Sequence, residues 1–231
     1  MKTYCLAMRA GLHYRREVFE SGLRAVGLTE APSDRCDVFV TWNRYGHTAT
    51  IANQVESRGG TVLVAENAIW GNAFAGDRWY SIARRFHNTA GAFPIGGNER
   101  WDSLGLELQD WRPEGGEVVG LMQRGIGPAG VAMPPGWRPK GCDRIRKHPG
   151  VNPCVPLDED LARASLVRTW GSGAAVKALM WGIRVEADYP NWIARQNNTT
   201  DGRLAAFRTL AHAQWRLSEI SDGSAFAALL D

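Results

Sequence analysis

Arg124, Arg146, His148, Ser172 and Gly173 are the residues whose types and spacing best fit the binding of a phosphate. A guanidinium or an imidazole donates charge-assisted hydrogen bonds to an anion. Glycine lets a ligand come close to the backbone. Gly125 follows Arg124 in the turn Arg-Gly-Ile-Gly, and Thr169 opens the turn Thr-Trp-Gly-Ser-Gly over residues 169–173. A helix starting straight after that turn presents backbone N–H groups without internal partners, together with the positive end of its dipole. Glu186 closes the apolar stretch that follows, where a carboxylate can hold ribose hydroxyls. Each residue also has a plainer reading, as a loop histidine, a surface arginine or an ordinary crossover turn, and these stay open.

A second group of residues fits proton transfer. Glu66 at a strand end and His47 in a loop are the leading candidates for a general base, with His13 third. Arg9, Asn43, Arg44 and Trp70 lie in the neighbouring stretches and are the candidate contacts to an acceptor molecule. No metal ligands are assigned, and no cofactor is expected.

These side chains must be carried by alternating strands and helices. Residues 165–188 read as a β-turn-α-β unit, with Gly182 ending the helix before the next strand. Upstream, residues 143–149 read as a short strand ending in His-Pro, and residues 157–164 as a short helix. In the first part, residues 2–8, 37–42 and 61–65 read as strands, and residues 14–26 and the stretch up to Ser57 as helices. Strand-helix alternation argues for parallel sheets, whose carboxyl edges bind ligands. Residues 68–116 read as an aromatic-lined loop with a helical piece at 79–86, residues 113–116 as a linker, and residues 117–123 as a new strand. An amphipathic helix is expected over residues 203–218.

The strand ending in Arg-x-x-His-Pro, the short helix, the next strand and T-W-G-S-G-A-A-x-x-A-L-x-x-G resemble the donor-nucleotide domain of GT-B glycosyltransferases. The likeness covers residues 118–189 and is nearest to bacterial sialyltransferases and capsule-type Kdo transferases. It implies an α/β chain of two Rossmann-like halves with parallel sheets facing a cleft, and a transferase; a metal-independent mode is expected on the reading that the chain has no Asp-x-Asp motif. The implied division is residues 1–115 for the acceptor side, 116–195 for the nucleotide donor, and 196–231 for a helical segment packing across the junction. His148 and Ser172 would contact the donor phosphates. The acidic catalytic motif of those families has no clear match in the N-terminal half.

Composition sets outer bounds. Hydrophobic residues make up 44% and charged residues 22% of the 231 positions, as in ordinary globular proteins. No apolar run is long enough to span a bilayer, and no signal peptide is evident, so a cytoplasmic location is expected, the host cytoplasm if the chain is phage-encoded. Cys5, Cys36, Cys142 and Cys154 contain no Cys-x-x-Cys pair and read as reduced thiols. The net charge of +3 steers polyanions weakly, with the bias local to Arg138, Lys140, Arg144, Arg146 and Lys147. Three function classes follow: a transferase using a nucleotide-sugar donor and a glycan or modified DNA base as acceptor, a non-catalytic nucleotide or sugar-phosphate binder, and a Trp-rich interaction protein.

Overall fold

A computed structural model describes residues 1–87, 90–93, 96–127, 129–150 and 155–231. The chain begins with β1 (Thr3–Ala7), α1 (Arg16–Ala25), β2 (Thr29–Glu30), β3 (Val38–Trp42), α2 (His47–Ser57), β4 (Thr61–Asn67), β5 (Ala73–Phe74) and β6 (Asp77–Arg84). It continues through α3 (Glu99–Ser103), β7 (Glu117–Leu121), β8 (Arg144–Arg146), α4 (Leu157–Asp160), β9 (Ala164–Thr169), α5 (Ala174–Met180), β10 (Arg184–Ala187) and α6 (Thr200–Ala211). Last come β11 (Gln214–Arg216), α7 (Leu217–Ser221) and α8 (Ser224–Leu230). Two compact units divide this path: Met1–Gly96 with Ala211–Asp231, and Gly97–Leu210. Residues 113–116, read from the sequence as a linker, fall within the second unit and lead into β7.

The first unit is built on a sheet of order β11-β6-β4-β3-β1-β2. Its β1 to β4 strands run parallel, β6 pairs antiparallel with β4, and β11 pairs antiparallel with β6. Alternation along β1 sends Tyr4 and Leu6 to one face and Cys5 and Ala7 to the other. Tyr4, Leu6, Val38, Val40, Leu63 and Ala65 meet Phe19 and Leu23 of α1 with Ile220 and Phe226, while Val62, Val64 and Phe39 meet Ala52 and Val55 of α2. Each central strand is therefore buried on both faces, which explains its nearly continuous apolar sequence.

Two expectations from sequence fail here. Residues 79–86 are not helical: Trp79 to Ala83 belong to β6, buried on both faces between β4 and β11. Without a polar face, a strand shows no two-residue period. The expected helix over residues 203–218 likewise ends in α6, and Gln214–Arg216 pairs with β6 as a strand.

The second unit carries a fully parallel sheet of order β10-β9-β7-β8. Helix α5 covers it with Ala175, Ala178 and Leu179, small enough to bring the helix close to the strands. Gly182 has φ of +72° and turns the chain from α5 to β10. A Cβ there would sit 1.8 Å from the Asp110 carbonyl oxygen. The strap containing Asp110 is bonded to the same turn, Gln109 N–H to the Met180 carbonyl at 2.9 Å and Arg112 N–H to the Gly182 carbonyl at 2.8 Å. Beside it, the Arg203 guanidinium lies 3.9 Å above the Trp111 ring. Among the described residues, no helix is long and apolar enough to cross a membrane.

Candidate functional site

In the second sheet, β7 starts at the centre, β8 adds on one side, and β9 and β10 add on the other. The direction of winding thus reverses at β7 and β9, and such a reversal opens a crevice at the carboxyl ends of the strands. Arg124 follows β7, His148 follows β8, Ser172 and Gly173 follow β9, and Asp188 follows β10. All lie on this one edge.

The β7 and β9 ends are tied together. The buried Thr169 hydroxyl donates to the Leu121 carbonyl at 3.1 Å and accepts the Ser172 N–H at 3.1 Å. Gln123 Oε1 accepts the Gly171 N–H at 3.0 Å, and Ser172 Oγ accepts the Ala174 N–H at 3.2 Å. The turn thus satisfies most of its own donors. Ser172 and Thr169 act on the backbone, and the Gly173 N–H has no acceptor among the described residues.

His148 is oriented by its own loop. Its Nδ1 accepts the Gly150 N–H at 2.9 Å, which places the proton of the neutral ring on Nε2. Burial and the nearby Arg124 charge hold its pKa below the ordinary 6.5. The pair thus offers an exposed guanidinium and a neutral N–H donor. Gly125 follows on the same loop.

Arg146 is differently employed. Its side chain pairs with Asp160 and donates to the Val155 carbonyl at 2.9 Å, and Arg144 bonds Asp160 and Glu117. Asp158-Glu159-Asp160 is an Asp-x-Asp sequence that the expectation of a metal-independent mode passed over. Here its last carboxylate is bracketed by the two arginines, which hold its pKa below the usual range against the opposing effect of burial. The basic cluster seen in the sequence is therefore partly neutralised.

A cavity of about 570 Å³ opens at the same edge, lined among others by Trp137, Arg138, Lys140, Arg168, Glu186 and Asp188. Glu186 pairs with Arg168 at 2.7 Å. The Trp137 indole N–H donates to Asp188 at 2.8 Å, and its ring packs edge-on against Trp170. Gln123, Trp137, Arg168 and Asp188 were not singled out in the sequence. Asp188 had a signal, since it stands two positions beyond Glu186 on the same strand end.

In the first unit the winding reverses between β1 and β3, so their loops flank the crevice. His13 and Trp42 meet there, with ring centroids 5.3 Å apart, and Tyr14 packs edge-on against both. His47 is exposed at the start of α2, and Glu66 is half-buried within β4 rather than beyond it. Alternation puts Glu66 on the α2 face with Val62 and Val64, while His13 packs with Trp42 on the α1 face. Arg9 is exposed, and Asn43 has φ of +66°.

Arg44 and Trp70 serve the fold. Arg44, with a side chain 6% exposed, binds both Glu56 oxygens at 2.9 and 2.6 Å, Asn53 at 2.6 Å and the Arg85 carbonyl at 2.7 Å, and covers the Phe86 ring. Arg44→Ala strands Glu56 and is expected to cost about 2–3 kcal/mol, less than a fully buried pair because Glu56 is partly exposed. Urea unfolding measures it, and a loss under about 0.5 kcal/mol would show the network to be ornamental. Trp70 is buried against Trp79 and Phe74. Trp79, Trp101, Trp192 and Trp215 are buried too.

Cys5, Cys36 and Cys142 are free thiols, and Cys154 lies outside the described residues. Among the described residues, no three His, Cys, Asp or Glu side chains gather as a metal site. No family model matches the chain, and no curated protein matches it.

Proposed function

We propose that the chain is a GT-B-type glycosyltransferase whose second unit holds a nucleotide-sugar donor and whose first unit presents an acceptor hydroxyl. The observation that carries this reading is the carboxyl edge of β7 to β10, which gathers Arg124 after β7, His148 after β8 and a cavity of nucleoside size at the ends of β9 and β10. The donor's phosphates lie against Arg124 and the His148 Nε2–H. Its nucleoside enters the cavity, with Trp137 as a planar wall and Glu186 and Asp188 as acceptors for hydroxyls. Inversion at the sugar requires a base for the acceptor proton, and Glu66 and His47, both towards the α2 face, are the candidates.

Thermal unfolding with a panel of nucleotide sugars tests the donor site, because a ligand that binds only the folded state raises the transition temperature. Stabilisation by at least one donor, lost in an Arg124→Ala/His148→Ala double variant, is the expected result. No shift with any donor would reject the reading.

The same site has a defined pH response. His148 is neutral at pH 7 in the free protein, since its pKa lies below 6.5. A bound phosphate favours the cation and raises that pKa, so binding takes up a proton and tightens as pH falls from about 8 towards about 6. His148→Gln should flatten the profile. Donor affinities measured across this range that are constant, or that weaken with acid, would remove His148 from the site.

One observation favours a second reading, a nucleotide binder without transfer chemistry. The candidate bases are divided between the two sheet faces, His13 on one and Glu66 on the other. Donor stabilisation without any donor hydrolysis or transfer would select it.

A further inference from the structure

Three loops meet at the carboxyl edge of the first unit's sheet: residues 8–16 after β1, 43–50 after β3 and 68–76 after β4. None contains an Asp or Glu. Arg16 is consumed by Glu20 and Arg44 by Glu56, but Arg9 is exposed, and Arg15 and Arg78 stand at the same rim. Arg78 donates to the Leu12 carbonyl at 3.4 Å, and Arg15 lies beside the Tyr80 hydroxyl, which itself holds the His13 carbonyl at 2.8 Å. The acids flanking these loops are Glu17 in the first turn of α1, whose charge reaches the Tyr80 hydroxyl together with that of Arg15, Glu66, half-buried in β4, and Asp77, which faces Arg216 at 3.6 Å.

The rim is also apolar where a surface seldom is. Leu12 is 76% and Tyr45 68% exposed, one on each side of the winding reversal between β1 and β3. The His13 ring stands with them, held edge-on by Tyr14 and Trp42 rather than free to swing. Exposed flat rings interleaved with guanidinium groups, on loops with no carboxylate, match a strand that alternates phosphates with stackable bases. A neutral glycan would need few cations.

We infer that this rim, through Arg9, Leu12, His13, Arg15, Tyr45 and Arg78, binds single-stranded nucleic acid. This names the acceptor class of the transferase proposed above and rests on that reading, yet the binding needs no donor. An unpaired strand is favoured over a duplex because Tyr45 and His13 require open base faces, which a stacked helix does not present.

Fluorescence anisotropy of a labelled thymidine oligonucleotide, about 20 nucleotides long as suits a short electrostatic groove, tests it on the intact chain. Saturable binding is expected, with log affinity falling against log salt at a slope of about −2, as three arginine contacts to a single strand require. Arg9→Glu and Tyr45→Ala should each weaken binding about tenfold or more. Arg24→Glu, the same charge change on α1 away from the rim, should leave it within about twofold, since screening limits distant charges. All three side chains are exposed, and unchanged unfolding temperatures would establish that the variants fold.

No saturable binding in low salt, equal losses from Arg9→Glu and Arg24→Glu, or tighter binding to duplex than to single strand would each overturn the inference. Donor stabilisation without oligonucleotide binding would also overturn it while leaving the transferase reading intact. Oligonucleotide binding with no response to any donor would uphold the rim and reject the transferase.

Discussion

Gly22→Ala is expected to destabilise the first unit by about 3 kcal/mol or more, at the upper end of what overpacking costs. A Cβ on Gly22 would lie 1.7 Å from the Ile220 carbonyl oxygen and 2.8 Å from the Phe226 ring. Neither neighbour yields easily, because the oxygen belongs to helix backbone and the ring is fully buried. Gly22 itself is helical, so its value lies in having no side chain where α1 meets α7 and α8. In a chain of this size the loss corresponds to a fall in unfolding temperature of roughly 6–12 °C. Ser21→Ala, on the adjacent exposed position, serves as the comparison. Equal unfolding temperatures for Gly22→Ala and the parent would mean that the helices are not in this contact.

Removing the base should give the largest effect on turnover. If the proposed transfer occurs, Glu66→Gln or His47→Ala should lower its rate by about a hundred- to ten-thousand-fold, the usual range for general base catalysis. Donor affinity should stay nearly unchanged, because the lost interaction exists only in the transition state. Single-turnover rates with saturating donor separate the two effects. Undiminished rates in both variants would take the base away from both residues.

The strands that carry both edges were legible because burial on two faces writes a continuous apolar run. Val38–Trp42 and Thr61–Asn67 show it, Glu117–Leu121 and Ala164–Thr169 carry shorter apolar stretches around Val118–Val119 and Leu166–Val167, and glycines 60, 171 and 182 punctuate them. The same property hid β6, whose run of Trp79 to Ala83 is as apolar as a buried helix and has the aromatic residues either can hold. Local pattern also missed β11, since Gln214, Trp215 and Arg216 become a strand only because β6 offers an open edge. At the site, Arg124 follows β7 and His148 follows β8, so both lie on one edge of the sheet, as reading the strand ends expects. What pattern could not give was commitment: Arg146 and Arg44 look like free cations until Asp160 and Glu56 are seen beside them. Trp137 and Asp188 are 51 residues apart and find each other only in the fold.

The first unit is assembled from two separated pieces of chain, and its core draws Ile220, Phe226 and Leu229 from the second piece. Each such side chain contributes about 1.5–3 kcal/mol when buried. During synthesis, the N-terminal piece must therefore leave the ribosome and wait, its apolar strands incompletely covered, while Gly97–Leu210 is made. Nascent chains usually fold domain by domain from the N-terminus. Here the part that is translated first completes its fold last, and stalled chains ending before Ala211 should be the ones that chaperones hold and proteases cut.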